Sequence, residues 1–138
     1  DKYLKERDCP LLIYQGRLNM LDRAPQEEGI LDYCHENGIG FISFSPLAQG
    51  LLTDRYLNGI PADSRMAKEH FLKHSVLTPE LLEKLKAWNK QAGERDETLA
   101  EMALASILHQ KGVTSVLVGA SSTAQLEKNM KCVHAKAF

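Results

Sequence analysis

Three short apolar segments, separated by stretches with helical spacing, constrain the fold of this chain more than any other feature. Continuous apolar runs of this length are typical of strands that are buried on both faces. Because helical stretches separate them, the order predicts right-handed βαβ units and an α/β fold with a parallel sheet. The predicted strands are Pro10–Gln15, Gly40–Phe44 and Thr114–Val118.

Four helices are predicted between and after these strands. A Thr-x-x-Glu pattern at Thr98 matches a capping box, and Thr78 followed by Pro79 is a typical helix start. Asn37-Gly38 and Gly112 are typical stop signals. The predicted helices are Pro25–Asn37, Glu80–Glu94, Thr98–His109 and Ser122–Cys132.

Length and charge limit the classes of protein to consider. The 138 residues suffice for one domain, and 17 basic against 18 acidic side chains give a net charge of −1. This balance argues against general affinity for nucleic acid or for an anionic membrane. Without a membrane-length apolar run or a signal peptide, and with three widely spaced cysteines, the chain is expected to be cytoplasmic and reduced. These cysteines are Cys9, Cys34 and Cys132.

A long segment from Ser45 to Leu77 has no strand pattern, although Gln49–Tyr56 is compatible with one or two helical turns. Loops of this length in a compact domain are usually lids, binding loops or disordered segments. Arg55 and Arg65 favour a lid over an anionic ligand. A mobile solvated loop is an equally good interpretation.

Polar or aromatic side chains follow each predicted strand, at Gln15, at Phe44-Ser45 and within Gly119–Ser122. In parallel α/β folds, ligands bind beyond the carboxyl ends of the strands. The unpaired N–H groups at the start of the last helix suit an anion there. Ser122-x-x-Gln125 also matches a capping box, which explains Gln125 without any ligand.

Several known motifs are absent from the chain. No GxGxxG follows a strand, and neither a P-loop nor a GxSxG elbow occurs. His70 and His74 lie four residues apart, but no further ligand has convincing spacing, so a surface pair is favoured over zinc. We expect no metal site.

Three segments together resemble the aldo-keto reductases, especially the branch with potassium-channel β subunits and L-glyceraldehyde 3-phosphate reductases. IYQGRLNMLDR resembles the strand of that family that carries a nicotinamide-binding glutamine. The resemblance implies a (β/α)8 barrel that binds NADP(H) across the carboxyl ends of its strands. The segments are FSPLAQGLLTDRY (44–56), GIPADSR (59–65) and VLVGASSTAQLEKN (116–129).

The resemblance also implies residue roles. Gln15 would hold the nicotinamide carboxamide, and Phe44 would stack on the ring in place of the usual Tyr. Arg65 and Ser121 would meet the 2′-phosphate and favour NADPH. Gly119 would admit a phosphate to the helix start, and Gln125 and Asn129 would bind adenosine, next to a Lys128 that replaces the usual Glu. The pyrophosphate would be held by Ser45, Pro46, Leu47, Ala48, Gly50 and Arg55.

No catalytic residue of the family has a counterpart in these residues. The resemblance implies that residues 1–138 form the carboxyl half of one barrel domain and that the catalytic residues lie upstream. The expected function of the complete protein is NADPH-dependent reduction of a small aldehyde or ketone. Two alternatives remain open, a regulatory binding module like the channel β subunits and a non-catalytic half-barrel that associates with itself.

Overall fold

The computed structural model describes residues 2–64, 66–68 and 72–135. Its centre is a parallel sheet of three strands in the order β1-β2-β3. In register, Gln15 of β1 lies beside Ile42 of β2, and Ser43 lies beside Val116 of β3. The predicted α/β fold with a parallel sheet is therefore confirmed. The strands are β1 (Ile13–Arg17), β2 (Gly40–Phe44) and β3 (Val113–Val116).

Six α-helices occur in the described residues, and short 3-10 turns follow β2 and precede α4. The last helix continues into a 3-10 turn at Lys131–His134. The helices are α1 (Lys2–Lys5), α2 (Ala24–Glu27), α3 (Ile30–Glu36), α4 (Pro79–Glu94), α5 (Leu99–Leu108) and α6 (Thr123–Met130).

Helices α3 and α5 cover one face of the sheet. The core on this face joins strand residues such as Phe41 to Leu31 and Cys34 of α3 and Ile107 of α5. The opposite face carries Ile42 and Phe44, because side chains alternate along a strand. On this second face the residues of β1 are exposed and those of β2 are half-buried. Two α-helices on one side leave the other side of the sheet open.

Several predicted boundaries are wrong, each for a local reason. The first strand begins at Ile13 rather than Pro10, and its pairing extends to Arg17. A proline has no N–H for the ladder, so Pro10 is a poor strand residue. The third strand ends at Val116 rather than Val118. The predicted helix 25–37 is two helices, because Gly29 adopts a left-handed φ of 75° between them.

The predicted caps of α4 and α5 are confirmed. Thr78 accepts a hydrogen bond from the Leu81 N–H, and Pro79 occupies the first turn of α4. At α5 the capping box is complete, because Thr98 accepts from the Glu101 N–H and the Glu101 carboxylate accepts from the Thr98 N–H at 2.7 Å. Such reciprocal caps satisfy two backbone donors that the helix leaves unpaired.

The described part of the segment after β2 packs against the rest of the fold. Leu51, Leu52, Tyr56 and Met66 are almost fully buried in hydrophobic clusters that also include residues of α4. The described part of the segment is therefore a folded cover that contributes to the core. It contains 3-10 turns at Ala48–Gly50 and Asp54–Tyr56, which agree with the predicted helical turns. His70 and Arg65 lie outside the described residues.

None of the helices in the described residues is long and apolar enough to cross a membrane. No group of three histidine, cysteine, aspartate or glutamate side chains is placed to hold a metal ion within 2–64, 66–68 and 72–135.

Candidate functional site

Two connections leave the same edge of the sheet side by side. Residues 45–50 follow β2, and residues 117–122 follow its neighbour β3; the Leu117 N–H donates to the Ser43 carbonyl at 2.8 Å. Leu47 and Val118 belong to one hydrophobic cluster around Leu104, Ala105 and Cys132. This packing holds the first connection against the second. The predicted binding residues of both connections therefore share one region, at the carboxyl end of the sheet.

The first connection has an unusual backbone. Ser45, Ala48 and Gln49 have left-handed φ values of 51°, 46° and 60°, and Gly50 has a φ of 99°. Left-handed conformations cost a residue other than glycine about 1–3 kcal/mol each and persist where surrounding contacts hold them. Such strained positions cluster at binding and catalytic sites. Residues 45–50 are thus a preformed turn rather than a simple strand-to-loop connection.

The side chain of Asn19 connects this turn to the segment after β1. Its side chain is 2% exposed, and its Nδ2 donates to the Ser45 carbonyl at 3.1 Å. Its Oδ1 accepts from the backbone N–H groups of Leu21 and Asp22, each at 2.9 Å. Beside it, the buried Ser43 hydroxyl donates to the Leu18 carbonyl at 2.7 Å. The segment after β1 is thereby joined to the segment after β2.

Asn19 and Ser43 were not among the predicted site residues. Asn19 lies within the RLNMLDR segment, which follows the glutamine of the first predicted strand. An Asn after a predicted strand, two residues before Leu21 and three before Asp22, is a signal for a side chain that bonds its own backbone. That pattern predicts the turn, but not the partner Ser45, which lies 26 residues away.

Gln15 and Phe44 lie on the face of the sheet that helices α3 and α5 leave open. Gln15 is in register with Ile42, and Phe44 is in register with Arg17, so these side chains alternate with the buried Phe41 and Ser43. Gln15 is exposed and Phe44 is half-buried. Both are accessible to a ligand on the open face.

Arg55 is already paired. Its Nη2 lies 2.7 Å from Oδ2 of Asp63, and both side chains are well exposed. The exposed setting makes this ion pair weak, in the range of 0–1 kcal/mol. A phosphate group can therefore compete for Arg55. Its own turn is fixed by Thr53, which accepts from the Arg55 N–H and donates to the Gly50 carbonyl at 2.7 Å.

Gln125 takes part in the cap at the start of α6, and its role in binding adenosine stays a prediction. Ser122 caps the helix by accepting from the Gln125 N–H at 3.2 Å. The Gln125 Oε1 accepts from the N–H and the hydroxyl of Ser121, at 2.8 and 3.0 Å, rather than from Ser122 as a strict capping box requires. Gly119, Ser121 and Gln125 are all exposed. The cap uses the oxygen of Gln125 and fixes Ser121 at an accessible helix start.

Asn129 differs from its neighbours on α6. It is 5% exposed, and its Nδ2 has no hydrogen-bond partner among the described residues. Leaving a buried amide donor unpaired costs about 1–3 kcal/mol. Buried polar groups in native proteins nearly always have a partner. An orphaned donor on the helix predicted to bind adenosine fits a ligand with an acceptor at that position.

Burial changes the acidity of one thiol beside this region. Burial, with a smaller contribution from the negative charge of Glu101, raises the pKa of Cys132 above its ordinary value. Glu101 is itself mostly buried and lies 3.9 Å from the Lys131 ammonium. The Cys132 thiol is therefore neutral, and it packs in the same hydrophobic cluster as Leu47.

A comparison with family models matches residues 1–137 to the aldo/keto reductase family. Among curated proteins, L-glyceraldehyde 3-phosphate reductase of Escherichia coli K12 is 45% identical over 139 residues, with 98% of this chain and 40% of the relative covered. A probable voltage-gated potassium channel subunit beta of Arabidopsis thaliana is 37% identical, covering 88% of this chain and 38% of the relative. The NADH-specific methylglyoxal reductase of Escherichia coli K12 is 32% identical, covering 88% and 37%.

Among solved structures, the holo form of an aldo-keto reductase from Bacillus halodurans matches with a TM-score of 0.65 and 26% identity, covering 99% of this chain and 41% of that one. The fold is thus part of a TIM barrel. This chain belongs to the aldo/keto reductase family. It spans about two fifths of the length of the curated relatives that it matches.

Proposed function

We propose that this chain supplies most of the cofactor site of an NADPH-dependent carbonyl reductase and none of the residues that act on the carbonyl. The observation that carries the proposal is that the strained turn 45–50 and the connection into α6 leave the same edge of the sheet and pack on one cluster through Leu47 and Val118. A parallel sheet with helices on one face binds ligands at this edge. Because the chain belongs to the aldo/keto reductase family, the proposed ligand is a nicotinamide cofactor.

The residues present fit such a cofactor. Ser45–Gly50 would receive the pyrophosphate, since a preformed backbone turn needs no reorganisation on binding. Ser121 and Ser122 would meet a phosphate at the exposed helix start. The Ser121 N–H and hydroxyl would then exchange the Gln125 Oε1 for phosphate oxygens. The unpaired Nδ2 of Asn129 would donate to the adenosine end.

The open face would hold the other end of the cofactor. Gln15 has an amide that can bond a carboxamide in both directions, and Phe44 offers a ring face for stacking. When bound, the reduced nicotinamide supplies a hydride to the carbonyl carbon of a small aldehyde or ketone. The work of residues 1–138 is to bind and orient that cofactor.

Two measurements on the complete protein test the proposal. The first follows the loss of NADPH absorbance with L-glyceraldehyde 3-phosphate and with methylglyoxal, for which turnover is expected. The second measures cofactor binding. Tight binding without turnover of either carbonyl would contradict the reductase function and favour a regulatory binding module. Failure to bind either NADPH or NADH would overturn the site itself.

Asn129→Leu separates a binding role from a packing role. If Asn129 serves the cofactor, NADPH binds roughly ten-fold more weakly, because one hydrogen bond is lost. The unliganded protein should be no less stable, since the variant removes an unpaired buried donor. Asn89→Leu on α4 is the matched control and should leave NADPH affinity unchanged. Equal affinity in both variants would exclude Asn129 from the site.

Arginine variants test the preference for NADPH. Arg65→Ala is expected to weaken NADPH roughly ten- to hundred-fold and NADH little, because only NADPH has the 2′-phosphate that a guanidinium grips. Arg55→Ala is the comparison, since the pyrophosphate it would meet is common to both cofactors. Equal weakening of both cofactors by Arg65→Ala would show that Arg65 does not read the 2′-phosphate.

A further inference from the structure

Arg17 is a cation at the carboxyl end of β1 that the proposed cofactor site does not use. It is the last residue of β1 and is in register with Phe44, the last residue of β2. Because side chains alternate along a strand, Arg17 lies on the same face as Gln15. A Cβ on Gly16, between them, would instead meet Phe41 of the helix-covered core. Arg17 therefore lies on the open face, beside the two residues proposed to hold the nicotinamide.

An ion pair with Asp22 places the head of Arg17 at the carboxyl edge of the sheet. Its Nε donates to Oδ2 of Asp22 at 2.6 Å, and Asp22 belongs to the segment that follows β1. Asp22 is itself held, because its Oδ1 accepts from the Ala24 N–H at 3.3 Å and its N–H donates to the Asn19 carbonyl at 3.2 Å. Asp22 thus orients the planar guanidinium through one of its five N–H donors.

The two terminal nitrogens of Arg17 are available to a ligand. Neither Nη1 nor Nη2 donates to another residue in the described part of the chain, and the side chain is 63% exposed. Paired guanidinium donors match two oxygens of a carboxylate or of a phosphate. The end of the head that points away from Asp22 is therefore suited to an anionic group.

The order of the strands favours the substrate over the cofactor as the source of this anion. The proposed phosphate positions are the turn after β2 and the start of α6, and Leu47 of that turn packs with Val118 after β3. Arg17 ends β1, on the other side of β2 from β3. Neighbouring strands lie about 4.8 Å apart, so Arg17 is about 10 Å from β3. The nicotinamide is the part of the cofactor proposed to lie beside Arg17.

The substrate has to lie at this same corner of the open face. Hydride transfer requires reacting atoms about 3–3.5 Å apart, so the carbonyl carbon lies against the nicotinamide. Arg17 is one strand spacing from Phe44, and it is two residues, about 7 Å, from Gln15. The non-reacting end of a small substrate is then within reach of the guanidinium.

We propose that Arg17 selects small aldehydes and ketones that carry an anionic carboxylate or phosphate. This inference rests on the proposed reductase function and adds a specificity-determining residue to it. The terminal nitrogens of Arg17 hold the anionic group while the carbonyl lies at the nicotinamide. Because the anionic group does not react, this contact binds substrate and transition state alike. Arg17 therefore acts on KM and leaves kcat unchanged.

Two matched pairs of substrates measure the selectivity of the complete protein. L-Glyceraldehyde 3-phosphate is compared with L-glyceraldehyde, and succinic semialdehyde with butanal, so that each pair differs in one anionic group. The value of kcat/KM is expected to be about ten-fold or more higher for the charged member of at least one pair, because a charge-assisted contact is gained. The pair that shows the preference distinguishes phosphate from carboxylate.

Uncharged methylglyoxal separates failure of this inference from failure of the proposed function. Turnover of methylglyoxal with no preference for charge in either pair would overturn the role of Arg17 and leave the reductase standing. No turnover of any of these carbonyls, with NADPH bound, would contradict the reductase function and this inference with it.

Substitution of Arg17 locates the anion. Arg17→Gln should raise KM for the preferred charged substrate roughly ten- to hundred-fold, since a charge-assisted hydrogen bond is lost. The kcat, the KM of the uncharged partner and the affinity for NADPH should stay unchanged. Arg7→Gln removes the same charge at an exposed position after α1 and should change none of these quantities.

Three results of the substitutions would contradict the assignment. Weaker NADPH binding in Arg17→Gln would show that Arg17 holds the cofactor rather than the substrate. An equal rise in KM for both members of a pair would show a structural role only. An effect of Arg7→Gln as large as that of Arg17→Gln would show that the overall charge of the protein, and not this contact, sets the preference.

Discussion

The amide of Asn19 donates to the backbone carbonyl of Ser45 at 3.1 Å, and this one hydrogen bond connects the segments that follow the first two strands. Ser45 has a left-handed backbone, with a φ of 51°. A residue other than glycine stays in that conformation only where its surroundings hold it. Asn19 is therefore a positioning residue for the turn at the proposed pyrophosphate site.

Asn19→Ala is expected to destabilise the protein by about 1–3 kcal/mol, because the Leu21 N–H loses its partner in a buried setting. The Asp22 N–H and the Ser45 carbonyl each lose one hydrogen bond and keep another, to the Asn19 carbonyl and from the Ala48 N–H. The substitution should also weaken NADPH binding, since the strained turn loses its support. Chemical denaturation and cofactor titration measure the two effects. Asn58→Ala, at an exposed position, is the matched control and should change neither quantity. Unchanged cofactor affinity in a folded Asn19→Ala protein would show that the turn does not depend on Asn19.

Substitution of glycine by alanine is expected to have opposite effects on stability at Gly112 and at Gly93. Gly112 has a φ of 93°, and a Cβ there would lie 2.9 Å from the Leu31 carbonyl oxygen. Gly112→Ala is therefore strained by its conformation and by a backbone contact, and should lower the free energy of unfolding by at least about 1 kcal/mol. Denaturant titration measures the loss. An unchanged denaturation midpoint would mean that the backbone between α5 and β3 can shift to make room for the added Cβ.

Gly93 lies in the last turn of α4, and a Cβ there would meet nothing within 4 Å. Gly93→Ala is expected to leave stability unchanged or to raise it by up to about 1 kcal/mol, because alanine loses less conformational freedom in a helix than glycine. The two variants thus share one chemical change and differ only in backbone setting. A loss in Gly93→Ala equal to that of Gly112→Ala would contradict this account.

The sequence predicted the strands and helices better than the residues at which each begins and ends. GFISF gave a strand with correct bounds, because a short apolar run between polar segments has few alternatives. Pro25–Asn37 was predicted as one helix because its apolar residues have helical spacing throughout. The break at Gly29 depends on a single left-handed φ that the spacing does not reveal.

The sequence predicted where in the fold the candidate site lies, but not the backbone conformation or the contacts of its residues. The order of the strands places the residues after β2 and β3 at one edge, so their meeting follows from topology. Ala48 and Gln49 have no preference for left-handed backbone, and contacts distant in sequence decide their conformation. The unpaired Nδ2 of Asn129 likewise depends on packing between helices. The residue roles implied by the family resemblance remain predictions.

The three cysteines should react with a maleimide at different rates. Cys9 is exposed, whereas Cys34 and Cys132 are buried. Burial raises the pKa of the Cys34 thiol, and it does the same at Cys132 with the help of Glu101. Because the thiolate is the reactive form, Cys9 should be labelled first and the other two only after unfolding. Mass spectrometry of timed samples measures the order, and early labelling of Cys132 would contradict the packing under Leu47.

The same shifts predict how stability depends on pH. A raised pKa in the folded state means that the neutral thiol is favoured by folding. The resulting stability is complete below the ordinary thiol pKa and is lost as the pH rises through the folded-state pKa. Unfolding free energies at neutral and alkaline pH should therefore differ less in Cys34→Ala than in the unchanged protein. An equal difference in both would exclude Cys34 as a source of the pH dependence.

The open face of the sheet predicts how a polypeptide of residues 1–138 alone behaves. Ile13 and Leu117 are each 55% exposed on this face. Within the described residues, β1 and β3 pair only with β2, so one edge of each remains open. Open edges and exposed apolar faces promote pairing with another chain.

In sedimentation the polypeptide should associate with itself as its concentration rises. Ile13→Lys with Leu117→Lys should reduce that association, whereas Leu126→Lys on α6, 43% exposed, should not. A compact monomer at every concentration, with sharp thermal unfolding, would show that this face needs no partner.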